Sequence, residues 1–303
     1  MTAEESVEPV QQTHRNGKAG LSGLSRIFPN WSSAMGGVMI CIVVLVALVG
    51  PFIMPYDPEE QNVQDAFVPP MWQQGGAPSH WLGTDALGRD LLSRIVFGLR
   101  TSLAISVSSV ILLLIIGVTV GMLAGYYGGG KLDILLMRIT DIQMALPFIV
   151  LAITVLAVLK PTIPVLIFVL ALVQWPLYAR VVRGIVLVER GADYILAARA
   201  MGASDFRIIT RYLLRNIIIA LLILSTLDMA ALMIGEATLS FIGLGVQPPT
   251  PSLGNIMADG RLKISLYWWI TTLPGVFIFF TILGLNLFGD GMQMILDPKL
   301  RKR

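Results

Sequence analysis

The sequence predicts an all-α polytopic membrane protein with six transmembrane helices. Three observations carry that prediction. Of 303 residues, 55% are hydrophobic and only 14% charged, where a soluble domain carries roughly a quarter charged residues. The mean hydropathy is +0.76, and the apolar residues come in long unbroken runs rather than in short amphipathic periods. Lys and Arg collect in a few short segments between those runs. A net charge of +3 distributed this way is no nucleic-acid footprint.

A hydrocarbon core of about 30 Å needs about 20 apolar residues in a helix. The first run, Ala34 to Met54, is closed by Pro55. The second spans Ser102 to Tyr126, and the third Ile134 to Leu159, ended by Lys160–Pro161. The fourth covers Ile163 to Val182, the fifth Ile217 to Leu244, and the sixth Trp268 to Phe288.

Orientation follows from the basic residues. The stretch between runs four and five holds Arg183, Arg190, Arg199, Arg207, Arg211 and Arg215. The stretch after run one instead holds Asp57, Glu59, Glu60, Asp65, Asp85 and Asp90 against Arg89 and Arg94. The chain ends on Lys299, Arg301, Lys302 and Arg303. Six spans put both termini on one side, and the basic tail makes that side cytoplasmic. The expected organisation is a polar cytoplasmic tail (1–33), an anchor helix with an external acidic loop (34–101), a transmembrane core (102–290) containing a basic cytoplasmic loop (183–216), and a basic tail (291–303). The polar leader before run one is long for a cleaved signal peptide, so that run reads as an uncleaved anchor.

Several chemistries are excluded. Cys41 stands alone, which rules out a disulfide within the chain and a cysteine metal cluster. The two histidines, His14 and His80, suggest no metal or triad geometry. No phosphate-binding Gly-x-x-x-x-Gly-Lys-Ser/Thr loop occurs; Gly128-Gly129-Gly130-Lys131 reads as a tight turn between spans. The chain is therefore expected to bind no cofactor and to perform no catalysis itself.

Within the runs, Gly117, Gly121 and Gly125 recur every four residues, a stripe that lets another helix approach closely in lipid, from this chain or from a partner subunit. Tyr267, Trp268 and Trp269 open the sixth run as interfacial anchors. Ionisable residues in hydrocarbon are costly and usually face protein or water. Arg138 and Asp141, three apart, can pair along one helix. Asp228 either meets a translocating solute or an opposing cation, or hydrogen-bonds a neighbouring helix or subunit; Glu236 lies nearer the outer end of the same run.

The basic loop is the most structured connection. Asp193 can cap a helix from Tyr194 to Met201, and Gly202 supplies the left-handed residue that ends it. Ser204 can cap the next helix, with Asp205 in its first turn. Arg207, Arg211 and Arg215 would then form one stripe. Ala197, Ala198 and Ala200 give the short helix a low-relief surface, fit either for docking in a groove or for lying solvated at headgroups.

The stretch Ala197-Ala198-Arg199-Ala200-Met201-Gly202-Ala203-Ser204-Asp205 resembles the loop signature of ABC importer permeases. Two more stretches, His80-Trp81-Leu82-Gly83-Thr84-Asp85-Ala86-Leu87-Gly88-Arg89-Asp90 with the following Leu91 to Arg94, and Gly235 to Pro249 beginning Gly235-Glu236-Ala237-Thr238-Leu239-Ser240-Phe241, resemble the second permease subunit of dipeptide and oligopeptide importers. The sequence departs from the family pattern at Leu196, where the loop usually has Glu, and at Arg215, where Pro usually precedes Asn216. The resemblance implies the type I importer arrangement in a bacterial inner membrane. It implies that Asp193, Tyr194, Ala197, Ala198, Arg199, Ala200, Gly202, Ala203, Ser204, Asp205 and Phe206 form a coupling helix and turn seated on a cytoplasmic ATPase. It places Glu236 at the outer gate or a subunit interface; Asp228, from its depth in the run alone, is the second pathway candidate. The implied partners are a homologous second permease in a heterodimer, two ATPases that bind ATP and Mg, and an external binding protein that mainly selects the solute. Peptides are the expected cargo, with glutathione, nickel or other metal chelates as alternatives. An ion-driven carrier would instead show broken spans in two matching halves, which this sequence lacks.

Overall fold

The computed structural model describes residues 31–296. Residues 1–30 and 297–303, which carry most of the expected N-terminal tail, His14 and the basic terminal cluster, lie outside the described residues. Helix α1, Trp31–Ile53, is followed by the long connection that contains the acidic segment. α2, Leu91–Tyr126, begins eleven residues before the expected span because Asp90 caps it, its carboxylate accepting from the Ser93 amide at 2.8 Å. Its 36 residues make a rod about 54 Å long, well beyond a 30 Å hydrocarbon core.

The third expected span is not one helix. α3, Lys131–Met144, and α4, Phe148–Val158, meet at 92°. Pro147 sits in the break: its ring removes an amide donor and turns the preceding residue away from helical geometry. α5, Ile163–Glu189, runs past the expected end at Val182. After a short α6, Asp193–Ala200, α7 extends over Asp205–Ile242 with a π-helical turn at Ile208–Leu213. α8, Leu253–Gly260, carries a reciprocal Ser252/Asn255 capping box. α9 is Trp268–Leu296. Among the described residues five helices are long and apolar enough to cross a membrane, or six where the bent α3–α4 pair counts as one span. Thr84 and Asp90 form a lone antiparallel bridge in the long connection.

Two apolar clusters organise the bundle. One joins α2, α4, α5 and α7 around Leu113, Leu170, Tyr178 and Val182, and reaches Ile195 of α6. The other joins α1, α2, α8 and α9 around Ala47, Leu99, Ile256 and Trp269. The α2–α5 seam depends on the glycine stripe. A β-carbon on Gly117 would stand 2.6 Å from Tyr178 Cβ, on Gly121 2.6 Å from the Ala179 carbonyl oxygen, and on Gly125 2.7 Å from Val186 Cβ. The stripe lies within this chain.

Candidate functional site

The end of the bundle carrying the 183–216 loop is built around α6. Asp193 is the first residue of the helix rather than its cap; the capping position belongs to Ala192, which makes no side-chain bond. The Asp193 carboxylate instead sits in the first turn, where the helix dipole favours it. At the other end Ala203 N–H bonds to Ala198 O and Gly202 N–H to Arg199 O, both at 3.0 Å, with Gly202 at φ +82°. This is the Schellman arrangement, and it turns the chain sharply into α7. Ser204 accepts from the Arg207 amide at 3.4 Å.

Ala198 and Ile195 face the protein, whereas Tyr194, Leu196, Met201 and Phe206 are exposed, the last two at 79% and 77%. Ala197, Arg199, Ala200, Ser204 and Asp205 are exposed as well, and Ala203 is half-buried. Exposed apolar side chains clustered on one short helix and its turn are what a docking surface offers. The expected stripe of Arg207, Arg211 and Arg215 is skewed, because the π turn between them breaks the four-residue register; all three are exposed.

Tyr126, the last residue of α2, ties this loop to the bundle. Its hydroxyl donates to Asp205 Oδ1 at 2.5 Å and accepts from Arg199 Nη2 at 2.9 Å. Arg190, beyond α5, donates to the Tyr126 and Gly128 carbonyls at 2.9 and 3.3 Å. Tyr194 donates to Glu189 Oε2 at 2.5 Å. Partial burial and the Glu189 carboxylate push its phenol up to about 12, so it remains a donor at neutral pH. Arg183 grips Asp133 bidentately at 2.5 and 2.8 Å, joining α5 to α3. From sequence Arg183 served only as an orientation signal and Tyr126 only as the end of a run, and neither Asp133 nor Glu189 was a site candidate; only the fold brings the four together.

The polar groups inside the spans divide into two sets. The expected Arg138–Asp141 pair does not form: α3 packs against α5, and Asp141 binds Arg180 of that helix at 2.7 Å. Glu236 has no exposed surface. It accepts from Ser240 at 2.7 Å and packs against the hydroxyls of Ser102 and Ser252. In this conformation Glu236 therefore offers nothing to a solute; it joins α7, α2 and the N-terminus of α8. Asp228 is half-buried beside Tyr178 and Gln174 of α5.

The opposite end is closed by buried charge. Asp85 takes Arg89 Nε at 2.7 Å and also pairs with Arg94. Both arginines reach Asp259 at the end of α8, at 3.1 and 3.0 Å. His80 Nδ1 stands 2.9 Å from Asp90, and Trp269 Nε1 donates to the Thr84 carbonyl at 3.1 Å. Asp85 is fully buried and Arg94 nearly so. The motif His80 to Arg94 is thus a folded plug over α2, α8 and α9, and its charged residues are not a solvated rim.

The family model described as binding-protein-dependent transport system inner membrane component matches residues 117–302. A second, the N-terminal TM domain of oligopeptide transport permease C, matches residues 24–70. The di/tripeptide transport system permease protein DppC of Pseudomonas aeruginosa is 41% identical over 275 residues, covering 90% of each chain. The glutathione transport system permease protein GsiD of Pectobacterium atrosepticum is 38% identical over 265 residues, covering 88% of this chain and 86% of its own. A chain of the MetNI methionine ABC transporter, solved in inward-facing conformations, superposes with a TM-score of 0.56 at 24% identity, covering 67% of this chain and 96% of that one; it shares the fold. The chain belongs to the family of binding-protein-dependent transport system inner membrane components, the membrane-embedded permeases of ABC importers.

Proposed function

We propose that this permease is one half of a heterodimeric pathway for small peptides in a bacterial inner membrane. Both termini and the 183–216 loop lie in the cytoplasm, and the Asp57–Arg94 segment lies outside. ATP and Mg bind in two partner ATPases, and an external binding protein delivers the solute. Dipeptide- and glutathione-named relatives support amide-linked cargo. The observation that carries the reading is α6: a short helix ended by a Schellman turn, with Tyr194, Leu196, Met201 and Phe206 exposed and its underside bonded to the bundle.

A push on that helix has defined routes inward. Arg199 and Asp205 transmit it to the end of α2 through the Tyr126 hydroxyl. Tyr194 transmits it to α5 through Glu189. Because the glycine stripe leaves no space between α2 and α5, the two move as one body, and the Arg183–Asp133 clamp brings α3 along. The chain supplies the moving wall of the pathway, and the ATPases supply the energy.

The test is purification from the native membrane followed by reconstitution. Two P-loop ATPases and a homologous permease should copurify, and proteoliposomes supplied with the binding protein should accumulate a labelled dipeptide only when ATP is present. A folded chain that purifies alone, or uptake driven by an ion gradient without ATP, overturns the reading.

A further inference from the structure

An open groove of about 270 Å³ lies between α4, α5 and α7, lined by Phe148, Ile149, Gln174, Leu232, Gly235 and Thr238. Gly235 lets the Phe148 ring, at the start of α4, rest on α7; a β-carbon there would stand 2.8 Å from Phe148 Cζ. Along α7, residues 228, 231, 235 and 238 follow the three-and-four spacing of a single helix face. Asp228 therefore continues the groove's α7 wall by one further turn, and it neighbours Gln174, which lines the groove from α5.

The electrostatics of that turn are incomplete. Asp228 stands midway along the Leu214–Ile242 segment, where a charge is costly unless it meets protein or water. Its Oδ2 and the Tyr178 hydroxyl are both shielded from solvent and stand close enough to act on one another, with no charged partner for either. Among the described residues no Lys, Arg or His acts on it; its polar neighbours are the neutral Tyr178 and Gln174. The site thus holds one uncompensated carboxylate, amide and hydroxyl groups at Gln174 and Thr238, and apolar walls at Phe148, Ile149 and Leu232.

We propose that Asp228 is a solute-binding residue that takes the protonated α-amine of a peptide as it passes, while Gln174 and Thr238 bond its amide and the apolar wall receives its side chains. This rests on the peptide-permease reading and deepens it. An ammonium supplies the counter-charge that the neutral Tyr178 and Gln174 cannot. A solute whose charges are all negative would be repelled there, which favours free-amine peptides over anionic chelates.

The experiment uses the assembled transporter without its external binding protein, so that discrimination rests on the membrane subunits. A photo-leucine dipeptide with a free amine is crosslinked to the complex and its adducts are mapped by mass spectrometry. Adducts should fall on the groove around Phe148, Ile149 and Leu232. Unlabelled dialanine should suppress them at a concentration about tenfold below that needed by N-acetyl-dialanine. Asp228→Asn should lower adduct yield about tenfold, and Asp228→Glu should restore part of it. Equal competition by the acetylated peptide overturns the proposal. Adducts confined to other surfaces also overturn it. So does an Asp228→Asn complex that loses its partner permease, because Asp228 would then pair with a cation across the interface. ATP-driven dipeptide uptake by the complete wild-type system, measured in parallel, reports separately on the permease reading.

Discussion

The two ends of the bundle use charge in opposite ways. At the Asp57–Arg94 end, Asp85, Arg89 and Arg94 are almost without exposed surface and are linked through Asp259 to α8. At the 183–216 end, Arg199, Asp205, Glu189 and Tyr194 are exposed or half-exposed and bond across loop and helix termini. Buried ion pairs are poor sources of net stability but very costly to break, because the remaining charge stays uncompensated. Exposed ones are weak and easily re-formed. The first end is therefore built to stay in one arrangement, and the exposed loop contacts of the second to shift between arrangements without large loss, with the buried Asp133 held by Arg183 as that end's fixed point. This is the asymmetry a permease driven from one side requires.

The sharpest way to break the comparison is at Asp85. Asp85→Ala leaves Arg89 and Arg94 facing each other with only Asp259 between them, and the expected cost is about 3–5 kcal/mol. The prediction is loss of monodisperse, folded protein in detergent, read by size-exclusion chromatography of a fluorescent fusion. A normal yield and melting temperature would show that the plug is not the rigid end. A smaller effect is expected at the seam that both ends share. Gly121→Val places a side chain against the Ala179 carbonyl and Val182, where overpacking costs about 1–3 kcal/mol. The variant should melt at a lower temperature yet remain in the membrane. An unchanged melting temperature would mean that α2 and α5 separate freely and do not move as one body.

How much of this was legible beforehand depended on whether the signal was local. The apolar runs, the Gly202 turn and the Ser204 cap are properties of neighbouring residues, and the chain folds there as its local chemistry dictates. The break at Pro147 was also locally visible, but it was hidden by the hydrophobicity on both sides, which made Ile134 to Leu159 read as one span. The start of α2 was misplaced for the converse reason. Leu91 to Arg100 looks like loop because it contains Arg94 and Arg100, yet Arg94 is neutralised by Asp85 and by Asp259, far along the chain. Glu236 could not be placed from sequence: Ser240 is four residues along its own helix, but Ser102 and Ser252 come from α2 and the start of α8. Asp228 was identified as an intramembrane charge, but its lack of a cation and its place one turn beyond the groove's α7 wall required the fold.

The smallest expected effect on stability tests the mobile end. Tyr126→Phe keeps the ring and its packing but removes the hydroxyl that receives Arg199 and donates to Asp205. A hydrogen bond contributes about 0.5–1.5 kcal/mol net, and the two polar groups set free are at the surface, where water can satisfy them. Melting should therefore change little. If the hydroxyl is the joint between α6 and α2, ATP hydrolysis by the assembled complex should persist while dipeptide accumulated per ATP falls severalfold. Asp205→Asn, which retains an acceptor, should lose less than Tyr126→Phe. Equal transport per ATP in both variants would move the transmission to the Tyr194–Glu189 contact on α5 and leave α2 following through the glycine seam rather than leading.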